Sequence, residues 1–198
     1  MQNRSQQTRL RILNAALVIF ARDGYDASSV NEICAEAGVS KGAFFHHFPT
    51  KQALFLELLE SWLAQLDSQM EAIRLEHKAV PQALIQMAAL MGNVYQAAGG
   101  YLPVFLEFWT QASHDPAVWQ AVIAPYHRYQ SYFSSLLQEG IQAGTLRPVD
   151  PAMAARALVA QAIGLLLQGV LDPQGTDWAN QTRQSIELLV HSIQQEAG

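Results

Sequence analysis

The tripeptide Gly38-Val39-Ser40, set between two stretches too short to be stable helices alone, constrains this 198-residue chain more than any other feature. Ser29-Val30-Asn31-Glu32 matches a capping box, in which serine and glutamate satisfy each other's exposed backbone donors and start a helix. With Ile33 and Ala37 turned inward, that helix must stop at Gly38, because glycine takes positive φ at little cost. Ser40 supplies a second N-cap, and the next short helix carries Phe44 and Phe48 on one inward face. Val39 fills the angle between them. The layout predicts a helix-turn-helix over about residues 29–48, whose second helix enters the major groove of DNA. That helix opens Ser40-Lys41-Gly42-Ala43: small or basic residues that let its N-terminus approach closely, with free amides that favour a phosphate.

The rest of the chain carries helical punctuation throughout. Leu10, Leu13, Leu17 and Phe20 recur at spacings of three or four, and Gly24 follows as a stop. Pro49-Thr50 breaks the chain before a long amphipathic run from Lys51 to about Leu75. Pro81, Pro103 and Pro116 stand where a first-turn proline loses no hydrogen bond. Gly99-Gly100 separates two helices, and Gly144 ends a long one that begins near Ala117 and contains Pro125. Asp150-Pro151 opens a helix that reaches Leu171. After the turn Asp172-Pro173-Gln174-Gly175, Thr176 is expected to cap a last helix to about Gln195. No alternating strand pattern, internal repeat or low-complexity tract interrupts this. The fold class expected is all-α, with about nine helices.

Charge bears on the partner. A net charge of −5 spread evenly would argue against nucleic acid. Residues 1–51, however, carry six Lys/Arg (Arg4, Arg9, Arg11, Arg22, Lys41, Lys51) against four Asp/Glu, and the remainder carries six against thirteen. A basic head on an acidic body suits local contact with phosphates. The single cysteine, Cys34, permits no internal disulfide, which agrees with a reducing cytoplasm. Met1 to Arg11 has neither the apolar core nor the cleavage site of a signal peptide. The apolar stretch Ala157 to Leu167 is interrupted by Gln and Gly, short of the roughly 18 residues of a spanning helix. A cytoplasmic location with no membrane partner is expected.

The stretch from Ser28 to Lys51 resembles the N-terminal signature of the tetracycline-repressor (TetR) family. The match runs without a gap from about Leu10 through Leu54. It includes the ordered set Ile33, Ala37-Gly38-Val39-Ser40-Lys41-Gly42, His47-Phe48 and Lys51. The resemblance implies an N-terminal three-helix DNA-binding domain over 1–50 and a helical effector-binding and dimerisation domain over 51–198. It implies that Lys41, Gly42, Ala43 and His46 face base edges or the groove, while Ser29, Ser40, His47 and Lys51 contact phosphates. The position of Phe45 is commonly a tyrosine whose hydroxyl reaches a phosphate; Phe45 lacks it and is left to pack against sugar or a thymine methyl. A two-fold dimer on a palindromic operator follows, with half-sites about 34–36 Å apart. Its interface is expected on the last two helices, at Ala155, Leu158, Ala162, Leu165 and Leu166, and at Ile186, Leu189, Val190 and Ile193.

The middle of the chain is rich in large aromatics. Trp62, Tyr95, Phe105, Phe108, Trp109, Tyr126 and Tyr129 are candidates to line a pocket for an apolar or aromatic small molecule, against the plainer reading as core. Glu107 either pairs with a cationic effector or marks a wet helix face. His46 and His47 point about 100° apart on a helix and cannot chelate one metal ion together. No cofactor and no metal site is expected. A Gly-rich phosphate loop, a paired-histidine metal motif and a nucleophile–base–acid set are all missing, which argues against an enzyme. The function expected is a ligand-responsive repressor, its alternatives an effector-independent or architectural DNA-binding protein with the same head and a helical enzyme.

Overall fold

Local cap chemistry sets most helix boundaries in the computed structural model, which describes residues 2–97 and 102–195, without the side chains of 2, 3, 91–97, 102, 103 and 105. Gly99-Gly100 and the side chains of Tyr95 and Phe105 lie outside that description. Among the described residues nine helices run in order: α1 (Gln2–Asp23), α2 (Val30–Ala37), α3 (Lys41–His47), α4 (Lys51–Glu76), α5 (Val80–Ala97), α6 (Leu102–Ala112), α7 (Pro116–Gln142), α8 (Pro151–Leu171) and α9 (Trp178–Ile193). Among the described residues there is no strand, only an isolated antiparallel bridge between Leu146 and Gln194. Gly24, Gly38 and Gly144 take positive φ just beyond α1, α2 and α7. Asp150 caps α8 by accepting from the amides of Ala152 and Met153. At α9 the expected cap, Thr176, gives way to Asp177, whose carboxylate accepts from Asn180 N at 3.1 Å.

Packing divides the chain into two compact units, and not at residue 50. One comprises Met1–Ala64 with Gly100–Val122; the other comprises Gln65–Gly99 with Ile123–Gly198. The first three helices are too small to enclose a core alone, so further helices complete it. Leu54, Phe55, Leu58 and Leu59 of α4 and Val104 and Phe108 of α6 join Ile12, Ile19, Phe20, Ile33, Phe44 and Phe48 in one buried cluster. Phe55 and Phe108 stack with centroids 4.1 Å apart. Phe20 meets Phe55 edge-on at 5.6 Å, and Trp62 meets Phe108 edge-on at 5.9 Å. Cys34 is buried in the same cluster as a small apolar residue.

Phe108, a candidate to line an effector pocket, is 1% exposed and belongs to this core. Burying such a ring contributes roughly 1.5–3 kcal/mol. The proposed pocket residues fall in both units: Trp62, Phe108 and Trp109 in the first, Tyr126 and Tyr129 in the second. Trp109 and Tyr126 are exposed.

In the second unit α5 packs on α9 and α9 on α8, around Leu84, Leu137, Leu146, Ala155, Leu158, Ile186 and Val190. Asp67 of α4 is gripped from α7, accepting from Arg128 Nη2 and from Tyr129 Oη, each at 2.8 Å. Burial and that carboxylate push the Tyr129 phenol up to about 12. Ala155, Leu158, Leu166, Ile186 and Val190, five of the nine residues expected to meet a partner chain, are buried within this one. Helix α8 is apolar on both faces, so periodicity could not tell which face turns inward. By length and composition α8 is also apolar enough to cross a bilayer: an 18-residue window reaches a mean hydropathy of 1.6, with 28% of it buried. The apolar stretch is therefore longer than Ala157–Leu167, its Gln and Gly notwithstanding.

Candidate nucleic-acid interface

Capping chemistry builds the reader from its ends. Glu32 N donates to Ser29 Oγ at 3.2 Å, and Ser29 N donates to Glu32 Oε2 at 2.8 Å, completing the capping box. These bonds hold the Glu32 carboxyl below the usual carboxylate range. At Gly38 the backbone is left-handed (φ 62°, ψ 42°), so Gly38 N reaches Ala35 O and Val39 N reaches Cys34 O. Ser40 Oγ then accepts from Ala43 N at 3.2 Å and starts α3.

With Phe44 and Phe48 buried, the 100° step of the helix assigns every other residue of α3 to a strip. Lys41 and Phe45, four apart, flank one side and are exposed. Gly42 and His46 lie opposite the core, also exposed. Ala43 and His47 form the other flank, half-buried against α1. There an open groove of about 860 Å³ is lined by Arg4, Ser5, Gln7, Thr8, Leu10 and Arg11 together with Ala43, His46 and His47. The His47 imidazole lies below its ordinary range, first through desolvation and then through the charges of His46 and Arg9.

The six cations of the head separate into two sets. Arg9 pairs with Glu57 and lies 5.4 Å from the Phe48 ring centroid. Arg22 pairs with Asp23 at 2.6 Å. Lys51 Nζ donates to the carbonyls of Tyr25 at 2.6 Å and Ser28 at 2.8 Å, and sits 4.3 Å from the Tyr25 ring centroid. Desolvation draws its pKa down, against the pull of Asp26, Glu107 and Glu32. Among the described residues, the side chains of Arg4, Arg11 and Lys41 enter no ion pair or hydrogen bond.

Two phosphate contacts implied by the resemblance thus meet competition. Two of the three N–H bonds of Lys51 tie the α1–α2 turn to the start of α4. The Ser29 hydroxyl already accepts from Glu32 N and donates to Glu32 Oε2 at 2.7 Å. Arg4 and Arg11, not among the residues expected at the interface, line the same groove; the sequence signal is their spacing, four and three residues either side of Thr8 on one face of α1. Glu107 is half-buried beside Gly24, where a Cβ would come within 3.2 Å of its Oε1, and so marks a packed corner of the reader unit.

Residues 12–58 match the family described as "Bacterial regulatory proteins, tetR family", and residues 100–195 match "BetI-type transcriptional repressor, C-terminal". The chain belongs to the TetR family. It is 26% identical over 171 residues to the HTH-type transcriptional regulator UidR of Escherichia coli (strain K12), a span of 84% of this chain and 83% of that relative. A transcriptional regulator from Saccharomonospora viridis, solved in complex with choline, shares the fold with a TM-score of 0.85 at 23% identity, over 96% of this chain and 100% of the other. FadR from Bacillus subtilis, solved with stearoyl-CoA, gives 0.83 at 22% identity over 93% and 98%. As a TetR-family member the chain is a DNA-binding transcriptional regulator, not an enzyme.

Two outcomes follow for the reader. Lys41→Ala is expected to reduce the slope of log affinity against log salt by about one unit per bound protomer. Lys51→Met is expected to weaken binding with the slope unchanged; equal slope losses in both variants would show that Lys51 does meet a phosphate. For His47, a nearby phosphate favours the imidazolium that the free protein disfavours, so binding takes up a proton. Affinity should rise as pH falls from about 8 to about 6, less steeply in His47→Gln. Parallel pH profiles for the two proteins would remove His47 from the interface.

Proposed function

We propose that the protein is a ligand-responsive repressor that acts in the cytoplasm as a homodimer on a palindromic operator, with α3 in the major groove. The observation that carries the DNA contact map is the partition of cations: those left open, Arg4, Arg11 and Lys41, lie on or beside α3 and its groove. Ser40, Gly42, Ala43 and His46 occupy the approach to the bases, and His47 the phosphate-facing flank. Lys51 serves this surface as a positioning residue.

The dimer reading rests on α8. Met153, Ala157, Ala160, Gly164 and Leu171 recur at helical spacings along its outward face, and Leu188 of α9 is also exposed. A Cβ at Gly164 would meet nothing within 4 Å, so nothing among the described residues requires glycine there. A helix-interior glycine costs about 1 kcal/mol relative to alanine, which a close helix–helix approach between copies would offset. Of the residues first expected at the interface, Ala162, Leu165, Leu189 and Ile193 keep partial exposure and can border that seam. Ala160→Glu leaves the chain's own core intact and is expected to yield a folded monomer with weakened operator binding. A dimer that persists by sedimentation would move the interface elsewhere.

One observation in the second unit supports an effector site there. Tyr132 Oη is buried and has no hydrogen-bond partner among the described residues, an arrangement that a bound polar group would satisfy. The Tyr132 ring meets that of Phe133 edge-on at 5.4 Å, and both pack against the apolar core of the second unit, as do Tyr129, Leu66 and Ile73. Choline and stearoyl-CoA in the two structural neighbours mark the range of chemistry to be tried. A ligand that prefers the non-binding state should weaken operator affinity by about 5- to 150-fold. If no apolar or aromatic compound in a panel that includes those two changes it more than twofold, the effector-independent alternative stands.

A further inference from the structure

We propose that Phe45 is a specificity-determining residue that reads the 5-methyl group of a thymine in each half-site. The inference rests on the DNA interface proposed above and assigns one base feature to one side chain. Phe45 is 50% exposed on the reading helix, while Phe44 beside it is wholly buried. The two rings meet edge-on, with centroids 5.3 Å apart and planes at 83°, so a ring anchored in the core orients the exposed one. A large apolar surface held in a defined direction on the reading helix gains by covering an apolar group of its partner.

The groove limits what that partner is. A phenyl ring neither donates nor accepts a conventional hydrogen bond, so the polar base edges offer it little. The thymine methyl is the apolar group that distinguishes one base pair from another in the major groove. Lys41 stands four residues earlier on the same strip of α3, just over one turn or about 6 Å away along the axis. Lys41 at the start of α3 and Phe45 one turn on share an exposed flank of the helix, so when α3 enters the groove the Phe45 ring comes within reach of base edges. The deoxyribose is the other apolar surface of the duplex, but every nucleotide carries it, so contact there conveys no preference among bases.

The test uses the full-length protein and a duplex that it enriches from a pool with a randomised centre. That duplex is made with thymine and, position by position, with 2′-deoxyuridine, which lacks only the 5-methyl group. One thymine per half-site is expected to stand out. Its replacement should weaken binding about fourfold, and replacement in both half-sites about fifteenfold. Phe45→Ala, which removes an exposed side chain, should bind the two forms equally at those positions. Phe45→Leu, which keeps apolar bulk, should retain part of the preference, and Phe45→Tyr nearly all of it. Wild-type protein that binds every substituted duplex within twofold of the parent overturns the assignment, and so does Phe45→Ala with an unchanged profile. Failure to enrich any duplex overturns the DNA interface itself, and the inference with it.

Discussion

Seven residues cannot hold a helix, or fix its rotation, by their own hydrogen bonds. In α3 that task falls to Phe44 and Phe48, which are buried one turn apart and thereby determine which side chains α3 exposes. The constraint reaches well beyond α3. Phe44 and Phe48 sit in a cluster that includes Phe20 of α1, Phe55 of α4 and Phe108 of α6, the last two stacked on each other. A rotation of α3 by one residue would bury Phe45 in place of Phe44, or Ala43 and His47 in place of Phe44 and Phe48, and the whole exposed face would change with it. The reader is therefore a property of five helices, not three.

Features decided by neighbouring residues were legible in the chain. The capping box at Ser29, the left-handed glycine at 38 and the caps at Ser40 and Asp150 depend on bonds that span two to five residues, and all formed as expected. The inward pair Phe44 and Phe48 was legible for the same reason. Features decided over long separations were not. Arg9 finds Glu57, and Lys51 finds carbonyls 23 and 26 residues away, so no local pattern announces which cations are already engaged. Phe108 sits in an apolar run whose pattern suits a pocket wall as well as a core. The two faces of α8 are both apolar, and only the packing of α9 and α5 tells Leu158 from Ala157.

The glutamate and carbonyl oxygens that engage these cations have a structural explanation. A tight turn such as 24–28 leaves carbonyls without helical partners, and an ammonium group is a compact source of donors for them. Lys51 meets that need at the point where α4 begins. The same residue type that in an exposed setting would answer to DNA phosphates is here tied to the protein's own backbone.

That engagement bears on how such a protein finds its site in a chromosome. Binding to arbitrary sequence is driven almost entirely by phosphate neutralisation. A regulator faces on the order of 10⁶–10⁹ competing registers. With Arg9, Arg22 and Lys51 satisfied internally, the contact map proposed above implies a weaker grip on arbitrary duplex than six positive charges would give. Less of the cellular pool is then sequestered on irrelevant DNA. Residence at the correct site depends correspondingly more on what the exposed strip of α3 recognises in the bases, and a small number of copies suffices to occupy it.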